Sequence, residues 1–391
     1  MKAFITSLFL ILFFSCVDNP ENSVEIEVKN SLDFDRSHET LEIDLEDLKA
    51  LQSKSFAVID METKDTLASQ MVNYEDPDKK NVLLFQPEIK ASSSKSFRIV
   101  GVSAKTADSS MTRCFSRFVP ERTDDYAWEN NRVAFRTYGP TAQKMVEDSV
   151  AGGTLSSGID AWLKRVEYPI IDKWYDKYTS GKGTYHEDTG EGLDNFHVGV
   201  SRGVGGIAIK TDSAYLSSKN FSNWKTITNG PIRTSFILTY DSWDANGQKI
   251  EETKHISLDY GQNLSRFEIE ISGTNRISAG LTLHKQDGEV TTNSQEGWMS
   301  YWEPFDDSEL GQGLVVDTNQ LIGFEEYITS ATDQSNLYAQ IKTNQQKAVY
   351  YAGFGWKKSG QFKSNDAWNA YLSNYAKCIQ NPLKLTVKTK G

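Results

Sequence analysis

Apolar residues recur at every second position over much of this chain. Val24, Ile26 and Val28, then Leu41, Ile43 and Leu45, fall on one face of an extended backbone, the period that sets one side of a strand against a core. Segments 56–60, 82–85 and 96–102 continue the pattern, with polar turns such as Asp76-Pro77-Asp78 between them. Further strands are expected at 236–243, 254–260, 265–272, 277–284, 336–341, 347–356 and 383–389. Two stretches carry helical spacing instead. Ile159, Trp162, Val166, Ile170 and Trp174 predict a helix over 158–178, kinked at Pro169. Trp368, Leu372, Tyr375 and Ile379 predict another over 365–379, behind a cap at Ser364 or Asn365. Many antiparallel strands with few helices imply a mainly β chain, a large antiparallel β-sandwich. It is expected to run over 24–389 as a single domain, with 24–115 as a candidate N-terminal β sub-domain.

The first residues depart from this alternation. Met1-Lys2 is followed by an almost unbroken apolar run from Ala3 to Phe14, and Val17-Asp18-Asn19-Pro20 is abruptly polar. The run is too short to span a bilayer as a helix and has the form of a signal segment. Phe13-Phe14-Ser15-Cys16 resembles a bacterial lipobox, so residues 1–15 are expected to be a lipoprotein signal peptide. Cys16 would carry lipid and 16–23 would form a tether, which places the protein in the cell envelope with the lipid as its only membrane attachment. A plain secretory peptide cut nearby is the alternative. Cys114 and Cys378 have no Cys or His neighbours in sequence and read as buried apolar side chains, with pairing left open.

Composition narrows the function classes. The net charge of −11 and the lack of any Lys/Arg-rich run exclude a nucleic-acid binder. Five histidines and three cysteines argue against a multi-ligand zinc or iron–sulfur centre. All nine tryptophans fall between Trp128 and Trp368. Trp128, and above all Trp298 and Trp302 in the polar stretch 295–304, are candidate platforms for sugar rings; the competing reading is core.

Two segments concentrate reactive side chains. Residues 117–140, RFVPERTDDYAWENNRVAFRTYGP, interleave Arg132 and Arg136 with Trp128 and Tyr138, and arginine suits recognition of carboxylate or sulfate. A salt-bridge network bracing two sheets is the competing reading. Residues 185–206, YHEDTGEGLDNFHVGVSRGVGG, gather Tyr185, His186, His197 and Arg202 in a glycine-rich stretch. His and Tyr serve as general acid or base when their surroundings tune them. His284 lies opposite Ile277, Ala279, Leu281 and Leu283, on a polar face with Ser278 and Thr282. Gly203 to Ala208 fits a dinucleotide-binding glycine pattern, but a strand rather than a helix follows it. The acids of HEDTGEGLD lack EF-hand spacing, so no cofactor is required by the sequence and a divalent cation such as Ca2+ stays open. Neither a G-x-S-x-G elbow nor an H-E-x-x-H motif occurs.

The runs 117–140, 158–175 and 185–206 together resemble a family of bacterial lipoproteins known as a domain of unknown function, whose members accompany polysaccharide-degradation loci of Bacteroidetes. The resemblance covers about residues 25 to 385 and extends to a member described as an ulvan oligosaccharide dehydratase. It implies a sandwich similar to the galactose-mutarotase and lyase supersandwiches. It further implies a carbon–oxygen lyase that removes water from the non-reducing-end uronic acid of an anionic, sulfated or unsulfated oligosaccharide. The resemblance supplies no catalytic set, so the residues come from the reading above. Arg202, Arg132 and Arg136 would neutralise the sugar carboxylate; His197, His186, Tyr185 and Tyr138 would move protons; Trp128, Trp298, Trp302 and His284 would line the site. A glycosidic-bond lyase, a hydrolase using Glu187/Asp188 or Glu191/Asp194, and a non-catalytic glycan-binding lipoprotein are the alternatives.

Overall fold

A computed structural model describes residues 23–74, 80–103, 112–212 and 214–388. The expected signal peptide, Cys16 and nearly all of the tether lie outside the described residues. The chain is mainly β, built from antiparallel sheets.

Alternation in the first hundred residues does what it predicts. Ile26 and Val28 of Ser23–Lys29, Val58 of Phe56–Asp60, and Phe97 and Ile99 of Ser94–Gly101 point into one core. They meet Leu41 and Ile43 of Leu41–Asp44 and Leu83 and Phe85 of Val82–Phe85 from a second, three-stranded sheet. The far end of the chain completes this small sandwich: Lys384–Lys388 pairs with Ser23–Lys29 as the edge strand. The run VLLF is buried on both faces. Val82 and Leu84 turn away from the small core and pack with Val72, Tyr74 and Ile232, so this sheet also docks on the larger body. Gln70 fixes the docking. Its carbonyl oxygen accepts from the Ile232 and Arg233 amides, and its amide donates to the Arg233 carbonyl and the Thr228 hydroxyl.

The larger body is a sandwich around one extensive core. One layer is a nine-stranded sheet in which Arg233–Tyr240, Lys249–Asp259, Leu264–Ser272, Lys347–Trp356, Ser308–Val316 and Trp298–Phe305 are successive neighbours. Phe236, Ile256, Phe267, Tyr350 and Leu314 project inward from it. The facing layer is made of two five-stranded sheets. One holds Asp125–Glu129, Ala134–Tyr138 and Asp160–Lys164 at its centre; the other holds Val204–Lys210, Arg276–Thr282 and Asn336–Lys342. They meet at a parallel bridge between Ile159 and Gly203. Gly203 has φ +56°, and a Cβ there would sit 1.9 Å from the Ile159 carbonyl oxygen, so the junction requires glycine. The strand Val204–Lys210 that follows agrees with the rejection of a dinucleotide loop.

Three α-helices are described: Pro140–Glu147, Ile171–Thr179 and Asn365–Gln380. The last is the expected C-terminal helix, and the Ser364 hydroxyl caps it by accepting from the Ala367 amide. The long helix expected over 158–178 is corrected. Only Ile171–Thr179 is α-helical, and Asp160–Lys164 is a strand. Both faces of that strand are buried. Ala161 and Leu163 enter the main core, while Trp162 packs under the helix with Ile171, Trp174 and Tyr175. A doubly buried strand has no polar face to reveal its period.

Candidate functional site

A cleft of about 450 Å³ opens where the two sandwiches meet, lined by residues 34–42 of the small unit, the outward face of the nine-stranded sheet and the helix Asn365–Gln380. That volume lies within the range of small-ligand sites, roughly 300–1,000 Å³. Strand alternation supplies its floor. Phe267, Ile269 and Ile271 face the core, so Arg266 and Glu268 face outward. Cross-strand register sets Arg266 beside Ser257 on one side and Tyr351 on the other, with Arg233 opposite Asp259 one row away.

The two floor arginines differ in what their donors do. Arg233 grips both Asp259 oxygens at 2.6 and 2.9 Å and spends its remaining nitrogen on Glu42 and the Tyr74 hydroxyl. Arg266 is about a third exposed (35%) and, among the described residues, gives one hydrogen bond, from Nη1 to Glu268 at 2.8 Å. The rest of its planar fork remains for a carboxylate. Tyr351, Tyr371 and Tyr375 form an aromatic wall, with ring centroids 5.3 Å apart for Tyr351 and Tyr375 and 5.9 Å for Tyr371 and Tyr375. Burial pushes the Tyr371 hydroxyl up to about 12 and the Tyr375 hydroxyl well above its ordinary value, so both keep their protons at neutral pH. Burial also raises the Glu39 carboxyl, against the Leu383 amide and Arg36, which hold it down.

Several of the residues singled out in the sequence converge elsewhere, on the outer face of the sheet carrying Ala134–Tyr138. Arg136 lies among three buried carboxylates: Asp160 at 2.5 Å, Asp194 at 2.9 Å and Asp125 at 3.7 Å. Tyr138 donates to Asp160 at 3.4 Å, Tyr175 to Asp125 at 2.9 Å, and Arg122 to the Tyr185 hydroxyl at 3.1 Å. His186 Nδ1 lies 2.6 Å from the Asp194 carbonyl. Burial, then the neighbouring Asp194, raises Asp160 to about 7; burial raises Asp125 to about 6. This is a salt-bridge network, as in the competing reading, but it joins neighbouring strands of one sheet to the Asp194 segment rather than bracing two sheets. Arg136 is 6% exposed, with Nε and Nη2 on carboxylates and Nη1 on the Tyr185 hydroxyl at 3.5 Å, so its donors are spent within the protein. Burial also pushes Tyr138 and Tyr185 upward, which opposes use as bases.

The other expected residues lie apart from this cluster, and of them His197 and His284 are neighbours. Arg202, 4% exposed, is consumed by the Ser157 hydroxyl and the Ile207 and Val200 carbonyls inside the sandwich. His197 is exposed and pairs with Asp333 at 2.9 Å. His284 is held between Glu303, 2.7 Å from Nδ1, and the His197 carbonyl, 3.1 Å from Nε2. The three tryptophan platforms are corrected to packing roles. Trp128 is fully buried and bonded to Ser265, and Trp298 and Trp302 pack beneath the helix Asn365–Gln380 with Trp368 and Leu372. Of their polar neighbours, Gln295 and Glu296 belong to the turn before the strand, and Ser300 and Glu303 are buried within it. Asp188, one of the acids considered for calcium, closes a turn by accepting from the Gly190 and Gly192 amides. Among the described residues, no group of three or more His, Cys, Asp and Glu is placed to hold a metal ion. Arg132 alone comes near the cleft, donating to Asn263 at 2.5 Å with Phe362 beneath it.

Residues 28–385 match the family model described as Domain of unknown function (DUF4861). The chain belongs to this family. A relative from Formosa agariphila, "Uncharacterized protein P7", is 53% identical over 381 residues, with 96% of each chain covered. Among solved structures, this DUF4861 chain is similar to a protein in glycosyl hydrolase family 38 from Enterococcus faecalis, at 12% identity and a TM-score of 0.47. It is also similar to an alpha-mannosidase from Enterococcus faecalis V583, at 12% identity and a TM-score of 0.45. It covers 48% and 46% of those chains, with 95% of its own length aligned, so it spans about half of either.

The reading from sequence passed over Arg266, Tyr351, Tyr375 and His38 of this DUF4861 cleft. For Arg266 a signal existed, since SRFEIEIS alternates and places Arg266 on the polar face. Nothing in the sequence says that this face is roofed by residues 34–42.

Proposed function

We propose that the protein is a carbohydrate-active lyase of the bacterial cell envelope, anchored by lipid on Cys16. In this reading it eliminates water from the non-reducing-end uronic acid of ulvan-type oligosaccharides. The observation that carries the proposal is the Arg266 fork in a cleft walled by tyrosines. Removing the C5 proton places negative charge next to the sugar carboxylate, so the site must neutralise that carboxylate before the proton becomes acidic enough to leave. Arg266 supplies a bidentate partner for it. Tyr375, held protonated by burial, supplies the proton for the departing C4 hydroxyl. The apolar faces of Tyr351 and Tyr371 suit the C–H faces of a pyranose, and the cleft has room for the end of an oligosaccharide.

The protein beginning after Cys16, given saturated uronic-acid-ended ulvan oligosaccharides, should yield a 4,5-unsaturated end that absorbs in the ultraviolet. Product mass should fall by one water with chain length unchanged. A shortened saturated product would instead favour a second reading, hydrolysis. The raised carboxyl of Glu39 beside the cleft, with Asp259 on its floor, supports that alternative.

A further inference from the structure

We infer that His38, contributed by the small sandwich, is the base that takes the proton in the cleft; this rests on the dehydratase reading above. His38 lines the cleft from the loop before Leu41–Asp44. Its backbone is left-handed, φ +58°, a conformation that costs a non-glycine residue free energy and persists only where its surroundings impose it. Those surroundings are specific. The His38 carbonyl accepts from Gln262 at 2.5 Å and from Gln86 at 3.1 Å, which ties the loop to the larger body and to its own unit. The imidazole stands edge-on to Tyr260 with centroids 5.7 Å apart. Gly261, at φ +79°, passes so close that a Cβ there would lie 2.5 Å from His38 Cγ. The ring is therefore positioned by the turn between two strands of the cleft floor, although it belongs to the other sandwich.

The charges around His38 favour a neutral imidazole. Partial burial of the ring lowers its affinity for a proton, Arg132 lowers it further, and Glu88 partly opposes them. A neutral ring at neutral pH accepts a proton without first losing one. The step balances within the site. The C5–H bond breaks toward the imidazole, its electron pair forms the C4–C5 double bond, and the C4–O bond breaks. The leaving oxygen takes the Tyr375 proton and departs as water. Imidazolium and tyrosinate then exchange the proton with solvent to restore both groups.

The test is steady-state turnover of the same oligosaccharides by wild type, His38→Asn and Arg132→Gln. Asparagine tolerates left-handed backbone, so His38→Asn keeps the loop. His38→Asn should lower kcat at least about a hundredfold, with KM within about twofold and thermal stability unchanged. In wild type, kcat/KM should fall on the acid side with a midpoint below that of free imidazole, and Arg132→Gln should move the midpoint upward. Wild-type protein that forms no unsaturated product overturns the dehydratase reading. Wild-type turnover that survives in His38→Asn, or a loss confined to KM or stability, overturns the base assignment alone.

Discussion

Arg136 and Arg266 sit on outward faces of different sheets, yet the two regions have opposite character. Around Arg136 the guanidinium is answered from within: Asp160, Asp194 and Asp125 surround it, and Tyr138 and Tyr175 cap carboxylate oxygens. The segment carrying Tyr185 and the helix Ile171–Thr179 cover that face with aromatic rings. Around Arg266 the covering element stands off, leaving a cleft and a fork that, among the described residues, gives one hydrogen bond. Arginine density in a sequence therefore says little about binding. What matters is whether the donors are already consumed, and a buried guanidinium must consume them to repay its desolvation.

Substitutions separate the two regions. The largest effect is expected from Arg266→Ala, which should lower kcat/KM for uronic-acid-ended oligosaccharides by about 10²–10³, as for loss of a principal charge-stabilising donor. Thermal stability should barely move. An active Arg266→Ala protein would transfer the site away from this cleft. Arg136→Met should do the reverse, costing about 3–5 kcal/mol of stability because buried carboxylates lose their counter-charge. Chemical denaturation measures it, and unchanged stability would show that the network is no brace.

A smaller effect concerns pH. Folding raises the Asp160 carboxyl from 3.8 to about 7, through burial first and Asp194 second. The folded state thus holds that proton more tightly than the unfolded chain, and its contribution to stability is lost as pH rises through this window. Asp160→Asn should remove up to about 1.4 kcal/mol per pH unit of that slope. Denaturation midpoints taken between pH 4.5 and 7 would test this, and an unaltered slope would refute it. The smallest change is expected for Glu268→Gln. It frees Arg266 from the carboxylate it holds and should lower KM for the anionic end a few-fold, while stability changes by less than about 1 kcal/mol.

Much of the fold was legible because burial has a period. Val24, Ile26 and Val28 alternate since one face of their strand meets a core, and the Ser364 cap with its apolar stripe announces the C-terminal helix. Legibility failed where both faces are buried. Asp160–Lys164 carries Ala161 and Leu163 inward and Trp162 outward into a second layer, so its apolar residues also fit a helix. Trp298 and Trp302 misled for the opposite reason, since helix Asn365–Gln380 covers their face from far along the chain.

The candidate site was less legible than the fold. The segment around Arg136 is dense in charge and drew attention, but density reflected mutual satisfaction. His38 stands in a short polar stretch with no periodic signal, and its place depends on Gln262 and Gly261, more than two hundred residues away. By itself the sequence determined the strand-rich class, the capped C-terminal helix and the outward placement of Arg266, since these follow from local period and side-chain chemistry. Only the tertiary structure decided which outward face is roofed, which arginine keeps donors, and which histidine reaches the cleft. Those outcomes depend on desolvation and on contacts between distant segments, which no local pattern encodes.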